Sequence, residues 1–253
     1  MESPSKRACF FCEATDRKLT NEHTWSAWLE NILPNRGRIT YFRTNQLVGG
    51  EPTVDRWRGK DFNHTVKAVC KQCNEGWMNR IEEDARPFLE SMILGHGRNL
   101  YEAGQAKVAT WGALKAMVFQ GKDRDVPIPL SHRREMFATK RPPKQTQVWI
   151  GAFTGKVWAQ RHFGLGIDRP EEPSIPAYGS TFAVGRLVFQ VFGHEAGDSF
   201  RRQIWGQLGE SLIEIWPYGG DTSWPPPLLL NDDGLIEASN SFARTAGPIE
   251  PTP

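Results

Sequence analysis

The 253-residue chain has no cysteine outside two close pairs, no long apolar run, no strong net charge and no internal repeat. Each absence excludes something. A membrane-spanning helix needs about 20 consecutive apolar residues, and no segment approaches that length. The opening residues Met1–Arg7 carry no apolar stretch of the kind a secretory signal needs, so a cytoplasmic protein with no membrane association is expected. In a reducing compartment a disulfide framework is not expected, and ten tryptophans with an apolar fraction of 39% can supply a core without one. A formal net charge of +2 excludes polyanion binding over the whole surface, so any nucleic-acid surface has to be local. The length suits one large domain or two modest ones.

What is present is concentrated in the cysteines. They form Cys9-Phe10-Phe11-Cys12 and Cys70-Lys71-Gln72-Cys73, two Cys-x-x-Cys pairs. Two intervening residues let both sulfurs of a knuckle turn toward one ion, so four thiolates in two such pairs predict one tetrahedral zinc site. A thioredoxin-type redox pair is the competing reading, but two pairs at opposite ends of one segment suit a shared zinc better. Glu22-His23 follows the first pair and Asn74 follows the second directly. A carboxylate beside a histidine, with an amide oxygen near a metal-held knuckle, is what hydrolysis of a phosphodiester at a single divalent ion calls for. An imidazole titrates near neutrality and can take a proton from water. Oxygen ligands favour Mg²⁺ or Mn²⁺ over zinc. The plainer readings are that Asn21-Glu22-His23 opens a helix and that Asn74 only starts one.

The order Cys-x-x-Cys, Glu-His, Cys-x-x-Cys-Asn resembles the zinc-knuckle branch of the HNH endonucleases, the ββα-metal or His-metal finger superfamily. The resemblance implies that Cys9, Cys12, Cys70 and Cys73 hold a structural Zn²⁺, and that His23 is the general base. It also implies that Glu22 and Asn74 hold the catalytic Mg²⁺ or Mn²⁺. The family's middle asparagine falls here on Thr65, and the residue that orients His23 is Asn63, His64 or Thr65, in that order of preference. The implied substrate is nucleic acid, with DNA preferred to RNA. A catalytically inactive zinc-knuckle nucleic-acid-binding protein is the alternative, and a zinc that only stabilises a small fold is a third.

The 57 residues between the knuckles imply an insertion. From Pro34 to Lys71 it carries eight basic residues, among them Arg36, Arg38, Arg56 and Arg58, against three acids, a local balance of +5. These four arginines are the candidate nucleic-acid contacts, and a solvated loop face is the plainer reading. Apolar spacing predicts a helix over Trp25–Leu33, ended by Pro34, and extended segments over 38–48 and 62–69. A helix is predicted over 71–86, with a break at Pro87 and a short helix after it.

Residues 1–98 are thus expected to form a zinc-bound ββα-metal unit. Residues 106–224 are expected to form a second α+β unit, an antiparallel sheet with packed helices. Its first helix reads as amphipathic and ends at Gly121, its second is capped by Ser131, and Thr154-Gly155 is a hairpin turn. DNA positioning, homodimerisation and partner sensing are all open to this second unit. The proline-rich residues 225–253 read as an extended arm and a disordered tail.

Overall fold

The computed structural model describes residues 7–33, 38–45, 53–60, 65–120, 128–155, 159–169 and 172–242. The knuckle segment runs through β1 (Leu19–His23), a short α1 (Leu29–Ile32), β2 (Arg38–Asn45), β3 (Thr53–Lys60) and β4 (Thr65–Cys70). A π-helical turn (Cys73–Met78) then opens into α2 (Asn79–Ile93). The strand that pairs with β4 is β1, in antiparallel register with His23 opposite Thr65 and Leu19 opposite Cys70. The ββα order is therefore β1, β4, α2, and the extended segment expected over 38–48 is not its first strand. That segment forms β2, whose hairpin with β3 leaves the knuckles and joins a different sheet. The helix expected from Trp25 is only the four-residue α1, because Trp25 and Leu29 are drawn into the core as a plug.

Pro87 lies inside α2 and does not end it. A proline inside a helix costs about 3 kcal/mol, through the lost hydrogen bond and the clash of its ring with the preceding turn. The buried stripe Ile81, Ala85, Leu89, Met92 and Ile93 runs continuously past it, and burying a large aliphatic side chain gains about 1.5–3 kcal/mol.

The remainder contains β5 (Arg98–Leu100), α3 (Glu102–Gln120), α4 (Leu130–Thr139), β6 (Thr146–Ala152), β7 (Ala159–Arg169), β8 (Glu172–Val184) and β9 (Leu187–His194). It ends with α5 (Gly206–Ser211), β10 (Leu212–Trp216), β11 (Thr222–Trp224) and α6 (Asp232–Asn240). Seven strands form one sheet in the order β10-β6-β9-β8-β7-β2-β3. All its pairings are antiparallel except β2 with β7. The protein is thus mixed α+β with antiparallel sheets. Among the described residues no helix is long and apolar enough to cross a membrane.

Side chains alternate across the sheet. Val148, Ile150, Phe182, Phe189 and Val191 join the core that holds α2 and α3, whereas Trp149, Phe163, Val188 and Phe192 join a second core with Leu235, Ala238 and Phe242 of the C-terminal arm. Every residue of β9 is buried, which is why its sequence reads as one apolar run without alternation. Gly185, at φ +57, starts the two-residue turn from β8 to β9.

Four further expectations change. Helix α3 is not amphipathic: from Val108 to Phe119 every residue is buried, because α2 packs on one side and the sheet on the other. Ser131 does not cap α4; Pro129 occupies the cap position and the Ser131 hydroxyl donates to Glu195. Thr154-Gly155 does not join neighbouring strands, since β6 lies between β9 and β10, and the Thr154 N–H donates to the Leu230 carbonyl instead. The arm after Trp224 is packed as far as Phe242, with Asn231 capping α6 through its side chain; residues 243–253 lie outside the described residues. Among the described residues one buried cluster runs from Cys9 through α3 to Trp224.

Gly112 makes the close approach of α3 to the sheet testable. A Cβ there would meet the Phe189 ring at 2.6 Å. That ring is held in place by stacking on Phe182 and by Trp111. Helix propensity alone favours Ala over Gly by about 1 kcal/mol, while overpacking costs about 1–3 kcal/mol. Gly112→Ala is expected to lower the melting temperature; a raised one would mean that Phe189 yields.

Candidate metal centre

The first knuckle is a tight loop closed by its own backbone: Glu13 N–H donates to the Cys9 carbonyl, Cys9 N–H to the Ala14 carbonyl, and Glu13 takes φ +57. The second knuckle sits where β4 turns into the π-helical segment. Pairing of Leu19 with Cys70 brings the two together, and Phe10 N–H donates to the Ala68 carbonyl. All four sulfurs lie within 4.8 Å of one another, with Cys9–Cys73 at 3.8 Å and Cys12–Cys70 at 3.7 Å. Sulfurs tetrahedrally placed at the usual Zn–S distance are separated by ~3.8 Å, whereas a disulfide needs ~2.05 Å. The four cysteines are free thiols in an arrangement that can hold a metal ion such as zinc.

Two donors from the surrounding chain reach the sulfurs. Cys70 N–H points at the Cys9 sulfur at 3.3 Å, and an Arg17 guanidinium donates to Cys12. The hydrogen bond shared by Cys9 and Cys73 holds the Cys9 thiol down to about 4 and pushes the Cys73 thiol up, while burial pushes the Cys12 thiol up. The thiolate is the form that binds metal.

The centre is clamped by α4. Arg133 donates to the Phe10 carbonyl at 3.1 Å and Arg134 pairs with Glu13 at 2.7 Å. Phe11 meets Trp77 edge-on at 5.1 Å, and Lys140 lies over the Trp77 ring at 4.7 Å.

Asn74 leaves the second knuckle and donates through Nδ2 to the Thr20 hydroxyl at 3.3 Å; that hydroxyl donates to the Val69 carbonyl. With its proton committed to Val69, the Thr20 oxygen has to accept, so the amide of Asn74 is oriented with Oδ1 turned away from Thr20. A bulge between Thr20 and Glu22 then shifts the register of β1. Glu22 faces inward and is 5% exposed, while the His23 side chain is exposed. Trp25, fully buried against Phe119 and Phe182, anchors the chain just past His23.

Glu22 does not stand alone in the interior. The Lys115 ammonium, from the middle of α3 and itself 0% exposed, lies 3.8 Å from Glu22 Oε1 and 2.5 Å from Glu82 Oε1. It also donates to the His23 carbonyl at 3.5 Å. Burial pushes the Glu22 carboxyl above the ordinary range, and Lys115 opposes that shift. Sequence reasoning missed Lys115 and Glu82 as members of this site. The available signal was a single cation inside Trp-Gly-Ala-Leu-Lys-Ala-Met-Val-Phe, where an all-apolar helix needs none.

Of the other expected residues, Asn63, His64 and Arg36 lie outside the described residues. Thr65 is the direct partner of His23. Arg38 is paired with Lys60, Thr40 with Arg58 and Phe42 with Arg56 in the β2–β3 ribbon, which lies at the end of the seven-stranded sheet.

No protein-family model matches the chain, and comparison with characterised proteins and with solved structures finds no similar chain.

Proposed function

We propose that this chain is a metal-dependent endonuclease of HNH type that hydrolyses phosphodiester bonds in nucleic acid, with DNA as the preferred polymer. One observation carries the reading. The four-sulfur cluster sits at the root of a β1–β4 pair and its following helix; β1 presents an exposed His23, and Thr20 of the same strand accepts a hydrogen bond from Asn74 at the start of the helical segment.

His23 takes a proton from the attacking water, and the resulting hydroxide displaces the 3′ oxygen at phosphorus. Glu22, through its carboxylate, and Asn74, through Oδ1, are the groups that would hold Mg²⁺ or Mn²⁺. Such an ion supplies charge stabilisation at the phosphate and at the leaving oxygen. The residue orienting the His23 ring is Asn63, His64 or Thr65, and the pairing of Thr65 with His23 favours a partner at or next to that position. Incubation with supercoiled plasmid tests the reading: nicked or linear product with Mg²⁺ or Mn²⁺, abolished by EDTA in zinc-loaded protein, is expected. Intact plasmid under all metal conditions rejects it.

One observation favours a second reading, a catalytically inactive zinc-knuckle protein that binds nucleic acid. The ammonium of Lys115 already engages the Glu22 carboxylate. Salt-sensitive binding without cleavage would support that reading.

Both readings use the basic ribbon. Changing Arg36, Arg38, Arg56 and Arg58 to Glu is expected to weaken binding alike across sequences. Each lost phosphate contact lowers the slope of log K against log salt by about 0.9, so the slope should fall by about 3 if most of the four touch phosphate. An unchanged slope would assign these arginines to an idle surface.

A further inference from the structure

The environment of Lys115 is costly to build and is used at three points. An ammonium taken fully out of water costs several kcal/mol unless it is paired well, and a leucine or methionine at this place in α3 would avoid the cost. The chain instead brings three elements to one spot: Glu22 from β1, Glu82 from α2 and Lys115 from α3. The contacts to β1 fall on consecutive residues, the Glu22 carboxylate and the His23 carbonyl. A group that only neutralised an acid would not need the second contact. An ion pair to one side chain and a hydrogen bond to the next carbonyl tie the strand end to α3 at two adjacent residues. That strand end is where the Glu22 carboxylate and the His23 ring diverge, one inward and one to solvent. Glu82 takes the closer share of the ammonium, at 2.5 Å against 3.8 Å for Glu22.

We infer that Lys115 is a positioning residue for the proposed hydrolytic site: from a helix outside the knuckle segment it holds Glu22 and the backbone of His23 in register for the divalent ion. The inference rests on the nuclease reading given above. It also makes α3, which packs against the main sheet through Trp111 and Phe189, the support on which the site stands.

Three zinc-loaded proteins test it: Lys115→Met with Glu82→Gln, so that one charge of each sign is removed, Lys115→Arg, and wild type. Thermal melting establishes folding, electron paramagnetic resonance measures Mn²⁺ binding without DNA, and plasmid cleavage at saturating Mn²⁺ gives the rate. Losing a residue that orients a metal ligand typically weakens metal affinity or activity about 10- to 100-fold, and a loss of that size is expected in the folded double variant. Lys115→Arg, which keeps the charge, is expected to recover part of it. A folded double variant with wild-type Mn²⁺ affinity and rate overturns the inference, since a merely structural lysine would move only the melting temperature. If Lys115→Met with Glu82→Gln does not fold, folded Lys115→Arg decides instead: its longer planar head displaces Glu22, so unchanged Mn²⁺ affinity and rate overturn the inference. Wild type that neither binds Mn²⁺ at this site nor cuts DNA overturns the nuclease reading itself.

Discussion

Cys73→Ala should leave no folded protein, and the loss should reach well beyond the knuckles. Structural zinc supplies about 10 kcal/mol or more to folds of this kind, comparable with the whole stability of a typical domain, about 5–15 kcal/mol. Cys9, Cys70 and Cys73 belong to the same buried core as Trp111, Phe182 and Trp224, so no boundary in the packing confines the damage. Helix α4 depends on the first knuckle through Arg133 and Arg134, and it would lose those partners together. Wild type should carry one zinc per chain by elemental analysis. The variant should be insoluble, or should lack near-ultraviolet circular dichroism from its tryptophans, including those in the sheet. Soluble, cooperatively melting Cys73→Ala, or folded wild type without zinc, would remove the metal centre from the account.

His23→Ala should do the opposite: keep the fold and lose the reaction. The ring is exposed, and among the described residues no hydrogen bond holds it, while the contact that matters to structure is with the His23 carbonyl and survives the substitution. Melting temperature, zinc content and DNA affinity should therefore stay close to wild type. The cleavage rate should fall roughly a hundred- to ten-thousand-fold, the usual contribution of a positioned general base. Folded His23→Ala that cuts at the wild-type rate would exclude an HNH mechanism, whatever the cysteines resemble.

The cysteine cluster was readable because its information is local: a knuckle needs two sulfurs two residues apart, and each pair carries that by itself. That residues 106–224 hold an antiparallel sheet with packed helices was readable in outline, because short β-branched and aromatic runs bounded by Gly and Pro favour strands. The ββα unit was harder to read. Its first strand, Leu-Thr-Asn-Glu-His, has no apolar alternation, and it is defined by pairing with β4 across the whole insertion. The more strand-like 38–48 segment took its place in the reading. The parallel pairing of β2 with β7, the passage of α2 through Pro87 and the burial of α3 on all sides depend on what lies opposite in space. No periodicity along the chain encodes that. Lys115 takes its meaning from Glu22 and Glu82, which lie on two other elements.

The excursion of β2 and β3 out of the knuckle segment has a consequence during synthesis. β2 pairs with β7, with Thr40 against Ala159, so the ribbon emerges from the ribosome 119 residues before its neighbour exists. At typical elongation rates of about 5–20 residues per second, its edge waits roughly 6 to 24 s with unpaired backbone groups. Open strand edges recruit other chains, and lysine and arginine on an edge are a common safeguard. The nascent ribbon carries Arg38, Arg43, Arg56, Arg58 and Lys60, basic residues of the kind that discourage an open edge from pairing with another chain.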